Sequence, residues 1–225
     1  SIVDNLLYWK QVDLFELFTG IINTKNYPLL IRDSQIINDM NFWEEKYQQA
    51  QTGWERGQIN PAFDLWQGFN DLTPGTVLIP GCGRSPEVRA FAARGWQVTA
   101  VDMAPSAVEF QRQDNQLYGD RVRVVEADLL AWQPEQTFDL VYEQTCLCAL
   151  NPDHWQQYEQ RLASWVAPGG QLAALFMQTY KDGGPPFHCE WRDMRELFST
   201  TRWHWPEQEP LQSEHPTGIH ELGIR

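Results

Sequence analysis

The sequence is short of basic residues, of cysteine and of long apolar runs, and each shortage removes a class of function. Only 17 Lys and Arg stand against 30 Asp and Glu, a formal net charge of -13. A surface this acidic repels a phosphate backbone and an anionic lipid leaflet, which argues against nucleic acid and membranes as partners. No apolar stretch approaches the roughly 20 residues that a spanning helix needs. The first residues lack the basic head, apolar middle and small-residue cleavage site of a secretory signal. The cysteines Cys82, Cys146, Cys148 and Cys189 have no metal-site spacing, and Cys146 and Cys148 stand as C-x-C at an apparent strand end. Reduced thiols in a cytoplasmic protein, with no metal, are the simplest reading. Internal repeats and low-complexity segments are absent as well.

What is there suits one sizeable core. The chain has 225 residues, 13% of them aromatic, with 11 Trp. From Thr76 onward, short apolar runs alternate with amphipathic stretches, the pattern of a parallel sheet with crossover helices. Strands are expected at Thr76–Pro80, Gln97–Val101, Arg121–Glu126, Thr137–Glu143 and Gln171–Gln178, with two late ones around Arg202–Trp205 and Gly218–Ile224. Helices are expected at Pro86–Arg94, Pro105–Leu117, Pro152–Trp165 (capped by Asn151) and Met194–Phe198, and Pro168-Gly169-Gly170 reads as a turn. The expected organisation is a helical extension over 1–40 and a single α/β domain over 41–225, with a further helix over Asn41–Gln51. The Trp- and Gly-rich stretch from Thr52 to Pro74 has no clean period. Such a preamble can cover the carboxyl edge of the sheet, where doubly wound proteins bind ligands.

Three strand ends carry candidate chemistry. Gly81-Cys82-Gly83 follows the first strand, where glycines let the backbone approach a ligand and aim amides at it. Such a turn can equally be a tight bend, and Pro86 stands where a dinucleotide fingerprint needs its third glycine. Asp102 ends the second strand about twenty residues on, where a carboxylate can accept from ribose hydroxyls; capping the helix at Pro105 asks for the same residue type. Asp128, followed by Leu129, ends the third strand and can accept from an adenine amino group while Leu129 packs on the ring.

The run LIPGCGRSPEVRAFAARGWQVTAVDMAPSAVEF, then EADLLAW, then FDLVYEQTCLCALNPDHW, resembles class I S-adenosylmethionine-dependent methyltransferases, with their Rossmann-like, mostly parallel seven-stranded sheet. More narrowly it resembles the thiopurine S-methyltransferase superfamily, which includes thiol and halide/thiocyanate methyltransferases. That match rests on Pro80 before the glycine turn, on Phe42-Trp43-Glu44-Glu45-Lys46-Tyr47 with Thr52-Gly53-Trp54-Glu55, on Ala149-Leu150-Asn151-Pro152, and on Gly184-Pro185-Pro186-Phe187. Where most class I enzymes carry an acid two positions before the first glycine, this chain has Ile79. The resemblance runs from Asn41 to the C-terminus and leaves 1–40 unexplained.

The resemblance implies S-adenosyl-L-methionine as cofactor, with Gly81, Cys82 and Gly83 under its methionine part, Asp102 and Met103 at the ribose, and Asp128 and Leu129 at the adenine. It implies Trp43 and Trp54 as part of a cover near the sulfonium, although core packing would also explain Trp43. Glu143 is expected beside the methyl group, and Pro185, Pro186 and Phe187 in an acceptor-site wall. Gln144 stands where thiopurine-specific relatives have a basic residue. A small soft acceptor, a thiol, selenol or hydrogen sulfide, is therefore expected, with Glu143, Gln144, Tyr142 and His188 as candidate polar groups; His188 also reads as a plain loop residue. An O- or N-methyltransferase of a small metabolite and a cofactor-binding protein without turnover stay open, as does arsenite held by Cys146, Cys148 and Cys189. The sequence leaves the oligomeric state open.

Overall fold

The apolar run Val77–Pro80 forms the buried body of β1 (Thr76–Pro80), an inner strand covered on both sides as a parallel strand must be. In the computed structural model, which describes residues 41–225, a seven-stranded sheet runs β3-β2-β1-β4-β5-β7-β6. Its strands are β1, β2 (Gln97–Asp102), β3 (Val122–Glu126), β4 (Phe138–Gln144), β5 (Val166–Gln178), β6 (Leu211–Glu214) and β7 (His220–Ile224). The first five pair in parallel, while β7 runs antiparallel to β5 and β6. This is the Rossmann-like order expected from the sequence. The strand order reverses between β1 and β4, the crevice where doubly wound sheets take ligands. Trp43–Arg225 form one compact unit, and the helical extension expected over 1–40 lies outside the described residues.

Alternation along the strands sorts the core into two layers. Val77, Ile79, Leu140, Tyr142, Ala173 and Leu175 face one layer, with Phe63, Phe69, Phe91 and Trp96. Leu78, Val101, Val141, Ala174 and Phe176 face the other, with Tyr158, Leu162 and Trp165. Helices cover both layers. They are α1 over 41–48, α2 (Pro61–Leu65), α3 (Glu87–Ala93), α4 (Pro105–Asp114), α5 (Trp155–Trp165) and α6 (Trp191–Leu197). In α3, Val88, Phe91 and Ala92 recur at helical spacing and are fully buried.

Several boundaries differ from the sequence reading, each for a local reason. Helix α4 starts at Pro105 as expected but stops at Asp114, with a 3-10 turn over Gln116–Arg121. Asn115 Nδ2 donates to Gln111 O and Gln111 Oε1, a side-chain bond that competes with helix continuation. Asn151 caps a 3-10 turn, Pro152–His154, by accepting from Asp153 N, and α5 begins only at Trp155. The turn expected at Pro168-Gly169-Gly170 is instead a bulge inside β5: pairing jumps from Phe138↔Val166 to Leu140↔Gln171. A Cβ on Gly170 would lie 3.0 Å from Phe138 O and Asp139 O, so only glycine lets the bulge lie against β4. No strand forms over Arg202–Trp205, and the edge strand is Leu211–Glu214. The Trp203 indole and Arg202 guanidinium donate to buried Glu159 on α5, and Trp205 Nε1 donates to Phe198 O, drawing that segment onto the helices.

Candidate active site

The parallel register brings the three strand-end motifs to one edge. Pro80 pairs with Val101 and Asp102 with Glu126, so Gly81, Asp102 and Asp128 stand at adjoining carboxyl ends. Gly81 and Gly83 have φ of 57° and 48°, left-handed values that favour glycine. A Cβ on Gly81 would meet Cys146 Sγ at 2.6 Å, and one on Gly83 would meet Tyr47 Oη at 2.7 Å. The turn is thus pressed between the tip of β4 and α1. Cys82, buried between them, donates its amide to Val101 O.

Asp102 fixes this turn. One carboxylate oxygen accepts from Gly83 N at 2.8 Å and the other from Ala104 N at 2.9 Å. Burial pushes its carboxyl above the ordinary value against the pull of those amides. Each oxygen keeps a lone pair for a further donor. From the opposite side, Gln111 Nε2 donates to Gly83 O (2.9 Å) and Ser85 O (3.0 Å), and Asn115 holds Gln111 in turn. Gln111 was not singled out by spacing; its burial on an otherwise exposed stretch of α4 is the signal that finds it.

Trp43, Tyr47 and Trp54 pack with Ala104 and Ala107 beside the turn. Trp54 meets Trp43 edge-on at 5.5 Å and Tyr47 at 5.9 Å. Glu44 ties α1 to α4 by accepting from Ser106 N and Ser106 Oγ. Met103 is half-buried after Asp102. Asp128 Oδ1 accepts from Leu130 N, and Leu129 is buried in the second core layer.

At the tip of β4, Glu143 is 1% exposed. Its Oε1 accepts from Cys146 N (3.0 Å) and Leu147 N (2.7 Å), while Oε2 is buried without a hydrogen-bond partner. Burial raises its pKa to about 7, with those two amides opposing. Gln144 is half-buried and its Oε1 accepts from the Tyr142 hydroxyl at 2.8 Å. His188 stands further along, at the end of β5. Its Nδ1 accepts from Thr179 N (3.1 Å), and its Nε2 faces Glu190 Oε2 at 3.2 Å. The adjoining loop is tied down where Phe187 N donates to Cys148 O and Cys189 N to Met177 O. All four cysteines are free and buried, and burial pushes each thiol up.

The glycine turn, the Asp102 carboxylate and the Asp128 loop fit an adenosyl group: left-handed glycines keep side chains off the turn, and carboxylate acceptors stand at the adjoining strand ends. The same fold occurs in solved structures, a methyltransferase among them. A structure titled "Conversion of a Disulfide Bond into a Thioacetal Group during Echinomycin Biosynthesis" superposes with a TM-score of 0.67 at 18% identity, covering 82% of this chain and 89% of that one. Magnesium protoporphyrin IX methyltransferase of Synechocystis PCC 6803 superposes with a TM-score of 0.64 at 16% identity, covering 83% and 97%. The fold is that of class I S-adenosylmethionine-dependent methyltransferases, and the match of a methyltransferase family model to residues 38–217 makes the chain one of them, with S-adenosyl-L-methionine as its cofactor.

Sequence comparison narrows this. The model of the thiopurine S-methyltransferase family matches residues 38–217, and the chain belongs to that family. It is 30% identical over 156 residues to "Probable thiol methyltransferase 2" of Arabidopsis thaliana, covering 67% of this chain and 68% of that protein. It is 26% identical over 189 residues to a thiopurine S-methyltransferase of Pseudomonas putida, covering 76% and 87%. Among the described residues no helix is long and apolar enough to cross a membrane.

Proposed function

We propose that the protein methylates a small soft nucleophile, a thiol sulfur, at the carboxyl edge beside Gln144. The observation that carries this reading is the uncharged amide at the tip of β4, held by the Tyr142 hydroxyl at 2.8 Å. An amide there solvates a neutral or weakly ionised acceptor and gives a large anionic heterocycle no counter-charge. The name of a similar protein, "Probable thiol methyltransferase 2", supports a thiol acceptor.

In this reading Gly81, Cys82 and Gly83 present backbone to the methionine part of the cofactor, Asp102 and Met103 hold the ribose, and Asp128 and Leu129 take the adenine. Hydroxyl donors meeting Asp102 would hold it ionised against its burial. Trp43 and Trp54 exclude water over the reacting atoms. The bound sulfonium supplies an activated methyl group, so alignment is the main task left to the protein, and proximity contributes roughly 7–11 kcal/mol in favourable cases. A thiol with a reference pKa near 8.5 is a few per cent thiolate at neutral pH, so no strong base is required. Gln144 orients the acceptor, Glu143 Oε2 holds or takes a proton near neutrality, and His188 fixes the loop that carries Pro185, Pro186 and Phe187.

The test is a panel with labelled S-adenosylmethionine: methanethiol, hydrogen sulfide, a thiopurine, iodide, thiocyanate, arsenite and a small carboxylate. Preferential methylation of the small thiols is the expected result. Cofactor binding with methylation only of the carboxylate, or of no soft acceptor, overturns the thiol assignment and leaves the methyltransferase class intact.

A further inference from the structure

A second polar cluster lies at the same edge, built on side chains that the sequence reading gave no role. Arg56, in the aromatic segment before α2, donates through Nη2 to Glu221 Oε2 on β7 at 3.0 Å, and both side chains are nearly excluded from solvent. Asn60 Nδ2 donates to the same oxygen at 2.9 Å, and Asn60 Oδ1 accepts from Ser213 on β6. The Asn60 amide in turn donates to Glu87 Oε1 on α3 at 2.6 Å. Glu221 Oε1 is buried with no hydrogen-bond partner.

The cluster's position follows from register. Glu221 pairs with Met177, one residue before the carboxyl end of β5, and Gln144 is the last residue of β4. Arg56, Glu221, Glu87 and Glu143 all bear electrostatically on the Tyr142 phenol, whose hydroxyl holds Gln144. The other ionisable group facing the pair is His215, on the turn between β6 and β7. Burial, then the Arg56 charge, lowers its pKa to about 4, so it is neutral and adds no cation. One guanidinium therefore faces Glu221, which it contacts, and Glu87, and its charge is cancelled within the cluster.

We propose that the Arg56–Glu221 pair is a charge filter: by neutralising the cation at the acceptor edge, Glu221 restricts the enzyme to acceptors that enter uncharged, and against small anions. The inference rests on the thiol reading above and sharpens it to the neutral thiol, whose proton passes to the Glu143 carboxylate, through the Oε2 that has no other partner, as its sulfur is methylated. Glu221 acts through Arg56 and is a specificity-determining residue rather than a catalytic one. Removing its charge exposes a partly desolvated guanidinium, which attracts small anions.

The test compares methanethiol with thiocyanate and iodide in the wild type, in Glu221→Gln and in the double variant Arg56→Gln/Glu221→Gln. In Glu221→Gln the kcat/KM ratio of thiocyanate to methanethiol is expected to rise about tenfold or more, mainly through KM, and the double variant returns it to the wild-type value. A merely structural role would lower both acceptors in proportion, and an unchanged ratio overturns the filter. Calorimetric titration of thiocyanate into the S-adenosylhomocysteine complex gives a readout without turnover. Saturable binding by the wild type overturns the proposal even if Glu221→Gln does not fold. If no thiol is turned over but thiocyanate binds Glu221→Gln and not the wild type, the thiol reading falls and the filter stands.

Discussion

The two halves of the sheet treat their carboxylates differently. Around β1–β3, acids meet backbone amides close by: Asp102 holds Gly83 and Ala104, and Asp128 holds Leu130. Around β4–β7, Glu143 and Glu221 each keep one buried oxygen unpaired, and the partners of Glu221, Arg56 and Asn60, come from the far end of the chain. In the proposed reading the first half is a rigid acceptor of one cofactor, and the second, with its unpaired carboxylate oxygens, is where acceptors are told apart.

The largest effect should come from breaking the first half. Asp102→Ala removes the acceptor of two amides, and S-adenosylhomocysteine affinity measured by calorimetry should fall about 100-fold. Gly83→Ala strains a left-handed residue and drives a Cβ toward Tyr47 Oη, so affinity should fall about tenfold. Adding Tyr47→Phe should recover part of that loss, because it relieves the contact and leaves the φ strain; full recovery would show that the contact alone matters.

In the second half the effects are smaller and depend on pH. The Glu143 carboxyl sits near 7 when folded, against an ordinary 4.5, so the folded state holds an extra proton between those values. Its contribution to stability is then complete below about pH 4.5 and is lost as pH rises through about 7. Glu143→Gln should flatten the fall in Tm over that window, and parallel pH profiles for the two proteins would contradict the assignment. The smallest change is expected from His188→Ala. Loosening the loop should raise the acceptor KM a few-fold, roughly 1 kcal/mol, with S-adenosylhomocysteine affinity unchanged.

The same contrast explains what the sequence made legible. Gly81, Gly83, Asp102 and Asp128 announce themselves because each ends a strand whose apolar run is plain, and their hydrogen bonds close over short stretches of chain. The bulge in β5 hides behind Pro168-Gly169-Gly170, since turn residues and bulge residues have the same chemistry. The Arg202–Trp205 segment has the aromatic composition of a strand, but tertiary bonds to Glu159 and Phe198 override it. Arg56 and Glu221 are 165 residues apart, and no local pattern predicts that they meet.

The bonds from Gln111 to Gly83 O and Ser85 O have a thermodynamic consequence. They fix the cradle's carbonyls while Asp102 fixes one of its amides, so the turn is already in one conformation before any ligand arrives. In the proposed reading, cofactor association then carries little loss of loop entropy, so more of the interaction energy appears as affinity.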